Sequence, residues 1–302
     1  MIEKVLVKNH LDELLELDLR NPHKEGLAVR GIEGLVPVKA DINVTPISSG
    51  DGGLYNSART NDRNIVIYLN YLEEPTIEAV RRKTYKYFPL KKNIELTIVT
   101  NNDEVRTIEG YVESNEGVLF SKTTGTQISI VCPDPYFKAP QDTVNYISGV
   151  IPSFEFPFSN ESTTEELIEF GTVDTSRATE ITYEGDGDPG VEMIMFVEGI
   201  VEFPMIYNAT TQKYVKINTD KLTTLMGGGL VANDRIEINT KKGAKQAWLI
   251  RGGQRYNILN ALDDTSTWIT LVKGLNTFSY IADTGQNDIR VEIRHRALYE
   301  GV

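Results

Sequence analysis

Hydrophobic and polar positions alternate along most of this chain, which is typical of β-strands with one buried face. The clearest segments with this period of two lie at 65–69, 94–98, 128–132, 236–238 and 289–293. Val191–Val197 and Val201–Tyr207 are more continuously apolar, which favours central strands of a sandwich. Turns rich in glycine and aspartate separate the segments, and the strand–helix–strand order of a parallel sheet is missing. The pattern therefore predicts a mainly β protein built from antiparallel sheets.

One segment has helical periodicity instead. Thr76 can cap it, its apolar residues recur at helical spacing, and Pro89 ends it, so we predict a helix over 76–88. Its basic residues (Arg81, Arg82, Lys83 and Lys86) are interpreted as a solvated face, with an acidic partner as the alternative. His10–Leu19 is a second, shorter helical prediction.

A cluster of prolines marks a domain boundary. The strand that ends at Cys132 runs directly into Pro133 and Pro135, which remove backbone donors and disfavour helix in the residues before them. Five of the twelve prolines lie within 133–157. We therefore predict a first β domain with one helix over 1–138, a stiff proline-rich connector over 139–152, and a β-sandwich over 153–302.

Charge is unevenly distributed along the chain. The formal net charge is −12, and residues 155–202 hold thirteen acidic residues against one basic residue, Arg177. Phosphate binding requires clustered Lys and Arg, so this half of the chain is not expected to bind nucleic acid. We interpret the acidic belt as a solvated surface. A single cysteine and the absence of long apolar runs predict a protein of a reducing cytoplasm, without a signal peptide or membrane insertion.

No set of residues predicts catalysis or metal binding. His10, His23 and His295 are scattered and lack partners at ligand spacing, so a zinc site is not expected. Cys132 lies on the apolar face of a strand and is interpreted as a core residue rather than a nucleophile. The sequence therefore predicts a protein that is not an enzyme, with no catalytic, cofactor-binding or metal-binding residues and no cofactor.

Three other features have both a structural and a functional interpretation. Glu184-Gly-Asp-Gly-Asp188 resembles the start of a calcium loop, but Pro189 interrupts it and a bidentate acid is missing, which favours a turn. Gly227–Gly229 lacks the Lys and Ser/Thr of a phosphate loop and is interpreted as a flexible turn. Trp248 and Trp268 could stack against sugars, although their apolar neighbours favour packing at the core or its rim.

Several segments together resemble the distal tail protein of phages with long, non-contractile tails. In the first half, the matching segments are Gly50-Asp-Gly-Gly53, Asp62-Arg-Asn-Ile-Val-Ile67, Tyr85-Lys-Tyr-Phe-Pro89 after the helix, Arg106-Thr-Ile-Glu-Gly-Tyr-Val112 and Cys132-Pro-Asp-Pro-Tyr-Phe137. In the second half they are Asp234-Arg-Ile-Glu-Ile-Asn-Thr240, Trp268-Ile-Thr-Leu271, Gly274 and Asn276. Two features depart from the family pattern: Asn233 stands where a glycine is common, and the acidic belt is heavier.

The resemblance implies an N-terminal ring-forming domain followed by a galectin-like β-sandwich. It implies a structural hub of the tail tip or baseplate: a homo-hexameric ring around a channel through which DNA passes. Its implied partners are the tail tube protein and the tail-tip protein, extending to tape-measure and receptor-binding proteins, with no specific nucleic-acid binding. The location implied is the virion tail tip, after assembly in the cytoplasm of the bacterial host.

Two alternatives remain open at the level of sequence. One is a carbohydrate-binding module that recognises host cell-wall polysaccharide. The other is a sandwich-fold glycosidase, since such enzymes need only two carboxylates and this chain has many. A galectin-like fold does not by itself imply sugar binding, because function depends on the site and not on the fold.

Overall fold

The computed structural model describes residues 1–48, 50–118, 124–147, 150–152, 171–173 and 178–302. Contacts within the chain divide it into two compact units. Unit 1 contains residues 1–140 and 298–302, and unit 2 contains residues 141–297. Both units are built mainly from antiparallel β-strands, so the predicted fold class is confirmed.

Unit 1 is formed by one large sheet and one separate hairpin. Its strands are β1 (Ile2–Lys8), β2 (Leu14–Asp18), β3 (Leu27–Glu33), β4 (Ala40–Pro46), β5 (Gly53–Thr60), β6 (Arg63–Tyr71), β7 (Asn93–Thr100), β8 (Val105–Val118), β9 (Gly125–Cys132), β10 (Phe137–Lys138) and β23 (Leu298–Tyr299). The sheet has the order β2-β1-β7-β8-β9-β6-β3, and β10 joins it by pairing with β8 and β23. β4 and β5 pair only with each other in the described residues.

The predicted helix is present as α1 (Ile77–Tyr87). The Thr76 hydroxyl accepts a hydrogen bond from the Ala79 N–H and caps the first turn, as the sequence predicted. Val80 and Phe88 are buried in the core of unit 1, which places one side of the helix against the sheet.

The helix predicted over His10–Leu19 is wrong. Residues 10–12 form a turn, and Leu14–Asp18 is the edge strand β2. Leu15 and Leu17 alternate with exposed or half-buried neighbours, and this period of two overrides the helical propensity of a leucine- and glutamate-rich segment.

Unit 2 is a β-sandwich. Its strands are β11 (Thr143–Ile147), β12 (Val150–Pro152), β13 (Gly171–Val173), β14 (Ala178–Tyr183), β15 (Glu192–Val197), β16 (Met205–Asn208), β17 (Lys213–Lys216), β18 (Arg235–Asn239), β19 (Gln246–Arg251), β20 (Gln254–Asn257), β21 (Gly274–Ile281) and β22 (Ile289–His295). One sheet has the order β11-β22-β15-β18-β19-β20 and the other β14-β21-β16-β17, while β12 pairs with β13. Met195 and Ile236 of the first sheet share one buried core with Ile206 and Phe278 of the second.

Two local features of unit 2 differ from the sequence predictions. The strand predicted over Val201–Tyr207 begins only at Met205, because Phe203 has a positive φ of 49° and Pro204 has no N–H to donate. The second helix, α2 (Thr219–Met226), was not predicted. The side chain of Asn218 caps its start, and Gly227 ends it in the left-handed conformation, so this glycine is a helix cap rather than a flexible turn.

The sequence boundaries and the compact units differ at the C-terminus. Residues 298–302 group with unit 1, whereas the sequence places them in the second domain. Much of the acidic belt and of the predicted sandwich start, residues 153–170 and 174–177, lies outside the described residues. Independent folding of 1–138 and 153–302, joined by 139–152, stays a prediction.

Candidate functional site

The hairpin of β4 and β5 is the most exposed regular element of unit 1. Every residue of both strands is exposed. Ile42 and Val44 lie two residues apart, and they pair directly with Ala58 and Tyr55 of the opposite strand. Residues two apart share a face, and direct cross-strand partners do too. One face of the hairpin is therefore apolar, although Ile42 is 59% and Tyr55 67% exposed.

The opposite face of the hairpin is mostly polar, although Leu54, the cross-strand partner of Thr45, is exposed on it. Asp41 pairs with Arg59, and their side chains lie 3.3 Å apart as an ion pair. Thr45 accepts a hydrogen bond from the Asn56 side chain at the bulge of β5. A two-stranded hairpin is marginally stable alone in water, and its stability rises when its apolar face is covered. This geometry is suited to docking against another protein surface.

Arg63 is the buried polar centre of unit 1. Its side chain is 1% exposed, and its guanidinium donates hydrogen bonds to four backbone carbonyls, those of Gly34, Val36, Pro135 and Glu300. Burial lowers the pKa of this guanidinium, which nevertheless remains charged at neutral pH. A single side chain therefore connects β6 to the loop after β3, the proline turn and the C-terminal segment.

The C-terminal segment completes unit 1. Tyr299 pairs with Phe137 in β10, and the guanidinium of Arg106 lies 3.4 Å from the Tyr299 ring centroid. The Val302 N–H donates to the Leu35 carbonyl at 3.1 Å. Residues 298–302 therefore pack against the residues that follow Cys132-Pro-Asp-Pro. They stabilise the proline turn of the Cys132–Phe137 segment, although they are distant from it in sequence.

The segments of the second half that resemble the phage family contain polar residues whose hydrogen bonds fix loops of the sandwich. Asp234 is buried and forms a two-point ion pair with Arg251, which also donates to the Gly229 carbonyl at 2.7 Å. This ion pair raises the pKa of Arg251. The Thr240 hydroxyl bonds to Val191 and Ile269.

Asn276 also fixes loops of the sandwich through hydrogen bonds from its side chain. Its side chain bonds to the backbone of Val272 and Gly274, and it accepts from Asn208 at 3.2 Å. The Asp, Thr and Asn of the motif therefore support the fold instead of lining an open site.

The three histidines occupy three different environments. His10 is exposed in a turn, His23 contacts the Glu74 carboxylate at 2.6 Å on the surface, and His295 is buried beside Tyr183. Among the residues that the structure describes, no group of three or more His, Cys, Asp or Glu side chains is placed to hold a metal ion.

Cys132 is a core residue, as predicted. It is fully buried, and burial raises the pKa of its thiol to about 12, so it is not a thiolate nucleophile. A Cβ added at Gly110 would lie 2.7 Å from its sulfur, so β8 approaches this sulfur closely. No helix in the described part of the chain is long and apolar enough to cross a membrane.

The segment that resembles a calcium loop is a turn between β14 and β15. Glu184 and Asp188 are exposed, and the Asp186 carboxylate lies 3.2 Å from the ammonium of Lys273. The Tyr183 hydroxyl donates to the Asp186 carbonyl at 2.9 Å, which fixes the start of the turn.

The two tryptophans lie in different surroundings on unit 2. Trp248 is half-buried on the outer face of β19, with the guanidinium of Arg255 4.5 Å from its ring centroid. Trp268 packs partly against the core and lines a cleft of about 230 Å³. The other residues that line this cleft are Val215, Leu259, Leu262, Asp263, Asp264, Ser266 and Thr267.

The fold defines a class of two-unit β proteins, with a helix-bearing β unit and a β-sandwich. Within that class, the chain is similar to the Dit protein of phage SPP1, whose crystal structure was presented as a paradigm of the hub of the adsorption apparatus in phages that infect Gram-positive bacteria. The TM-score is 0.64 at 11% identity, over 97% of this chain and 98% of that one. At this identity the likeness shows a shared fold.

A second solved structure, the phage P2 baseplate in its activated conformation with calcium, gives a TM-score of 0.49 at 12% identity, over 98% of this chain and 99% of that one. No protein-family model matches the chain, and no curated protein matches it in sequence.

Proposed function

We propose that this chain is a structural hub of a phage tail tip or baseplate. The observation that carries the proposal is the likeness to a phage hub protein over 97% of the chain, with both units included. Motifs in both halves of the sequence point to the same class of protein. In this role the chain forms a homo-hexameric ring that joins the tail tube to the tail-tip and host-adhesion proteins.

The hairpin of β4 and β5 supports self-assembly. Its apolar face has no cover in the described residues of one subunit, whereas the other face contains the Asp41–Arg59 ion pair and the hydrogen bond from Asn56 to Thr45. A surface that docks on a different surface of the next copy generates a ring when the rotation closes. The proposed hub carries out no catalysis, lets DNA pass through the channel, and acts at the virion tail tip after assembly in the host cytoplasm.

Mass in solution tests this proposal. Light scattering coupled to size exclusion, over a range of protein concentrations, should detect a species of six chains or a stack of two such rings. Electron microscopy of that species should show a closed ring. A stable dimer with two-fold symmetry would contradict the proposal, because an isologous contact does not build a six-membered ring.

Variants of the hairpin make the test specific. Replacing Ile42 and Val44 by threonine keeps strand propensity but removes the apolar face, and it should shift the ring towards smaller species. The matched control replaces Asn43 and Thr45 by serine on the other face, which should leave the mass unchanged. Equal effects of the two double variants would show that the apolar face does not make the contact.

A further inference from the structure

The cleft beside Trp268 has preformed walls. The loop after Leu262 is attached to the edge strand β17 by backbone bonds: the Asp263 N–H donates to the Lys216 carbonyl at 2.9 Å, and the Thr267 N–H to the Tyr214 carbonyl at 2.7 Å. The Ser266 hydroxyl accepts from the Lys216 N–H at 3.0 Å. Because these bonds fix the loop before any ligand arrives, binding would cost little ordering of the site.

The polar groups of the cleft are mostly acceptors. Oδ1 of Asp263 accepts from Thr265, which lowers the pKa of this carboxyl and keeps it ionised. Oδ1 of Asp264 accepts from the Lys221 ammonium at 2.7 Å. Within the described residues, Oδ2 of each carboxylate accepts no hydrogen bond. The open oxygens therefore match a ligand that carries several donors.

The rest of the lining is apolar and aromatic. Val215, Leu259 and Leu262 contribute apolar surface, and Trp268 contributes an indole. The exposed ammonium of Lys245 lies 5.2 Å from the Trp268 ring centroid, where it can donate a hydrogen bond to a ligand stacked nearby. At about 230 Å³ the cleft is smaller than the roughly 300–1,000 Å³ of clefts for drug-sized ligands.

We propose that this cleft binds one neutral pyranose ring, such as a residue of a surface polysaccharide. A pyranose has an aliphatic C–H face that packs on an indole and hydroxyl groups that donate to carboxylates. Its size suits a cleft too small for a peptide, and the two carboxylates are balanced by Lys221 and Lys245, so no net charge favours an ionic ligand over a neutral one. The site lies within unit 2, and the inference is independent of ring assembly, so its failure would leave the hub proposal standing.

The two tryptophans of the chain allow a direct test. In the full chain with Trp248→Phe, Trp268 is the remaining indole, and its emission can be followed during titration with glucose, galactose and N-acetylglucosamine. We expect a saturable change with at least one of these sugars and a Kd in the millimolar range, as for a small cleft with few contacts. Glycerol should give no saturable change.

Variants of the carboxylates locate the binding. Asp263→Asn with Asp264→Asn keeps the size of the side chains and the Oδ1 acceptors, and it should weaken sugar binding by about tenfold or more. Asp220→Asn, on the exposed start of α2 outside the cleft, is the matched control and should bind as the parent does. The free-protein emission spectrum and melting temperature verify that each variant folds.

Three outcomes would overturn the proposal. The first is no saturable change with any of the three sugars in a folded protein. The second is equal affinity in the double aspartate variant and in its parent. The third is saturation by glucosamine but not by glucose or N-acetylglucosamine, which would identify a site for amines instead of neutral sugars.

Discussion

Arg63 donates a hydrogen bond from Nε to the backbone carbonyl of Pro135 at 2.7 Å, across a sequence separation of 72 residues. The guanidinium also lies 4.6 Å from the ring centroid of Phe137, so it contacts both ends of the proline turn. A charged donor pairs strongly with carbonyls in a site that excludes water. The proline turn that ends β9 is therefore held by a side chain of the neighbouring strand β6.

The first prediction concerns the loss of this guanidinium. Arg63→Met should destabilise unit 1 by about 3 kcal/mol, because it removes a buried guanidinium and leaves four backbone carbonyls without their donor. Both tryptophans lie in unit 2, so hydrogen exchange of the β6 and β9 amides, read by mass spectrometry, is the measurement for unit 1.

A matched control separates this effect from the general loss of an arginine. Arg59→Met removes an arginine that is exposed on the hairpin and pairs with Asp41 on the surface. This change should alter stability by less than about 1 kcal/mol. If β6 and β9 exchange at the same rate in the Arg63 variant and in the parent, the buried guanidinium does not hold unit 1 together.

The second prediction concerns the C-terminal segment. Tyr299→Ala removes the ring that stacks on Arg106 and covers β10, so we expect faster exchange in β8 and β10 and an unchanged tryptophan signal from unit 2. Tyr146→Ala, at a tyrosine that is 63% exposed on unit 2, is the control. Unchanged protection of β8 and β10 in the Tyr299 variant would mean that unit 1 is complete without this contact.

Periodicity predicted those strands whose burial also has a period of two. β6, β7 and β9 follow the pattern because each has one buried and one more exposed face, so the sequence alone carries the information. The pattern failed at His10–Leu19, where five residues of strand are too short to separate from a helical repeat. The partners of Arg63 could not be predicted from the sequence. All four are backbone carbonyls of distant segments, and every residue type carries a backbone carbonyl.

The exposed hairpin face and the cleft beside Trp268 could also be predicted only in part from the sequence. The alternation of Ile42 and Val44 is visible in the sequence, but apolar alternation normally indicates a buried face, and here the face is exposed. Trp268 was recognised as an aromatic residue that could stack against sugar. Its position beside Asp263 depends on the backbone hydrogen bonds between the loop after Leu262 and β17. Such bonds between segments distant in sequence cannot be predicted from the local sequence.

The third prediction is a dependence of unit 2 stability on pH through His295. This side chain is 4% exposed, its Nδ1 has no hydrogen-bond partner in the described residues, and burial lowers its pKa, an effect that the charge of Asp142 opposes. The unfolded chain takes up a proton near its ordinary pKa of about 6.5, before the folded protein does. Stability should therefore be complete above that pH and fall as the pH decreases below it.

Urea unfolding followed by tryptophan emission, at about pH 7.5 and about pH 5.5, measures this effect. The groups that face the imidazole are the Tyr183 ring and Asp142, which is paired with Arg296 at 2.8 Å. His295→Gln should reduce the loss of stability on acidification, and His10→Gln, at an exposed histidine, should not. An equal acid-induced loss in the parent and in the His295 variant would assign the dependence to other groups.

The fourth prediction concerns the acidic turn after β14. Replacing Glu184 and Asp188 by their amides, together with Asp186→Asn, should change the free energy of unfolding by less than about 1 kcal/mol. The reason is that two of the carboxylates are exposed and the third pairs with Lys273 near the surface. Melting curves with added calcium and with a chelator, for the parent and for the triple variant, are the measurement. A rise in melting temperature with calcium in the parent that disappears in the variant would instead establish this turn as a calcium site.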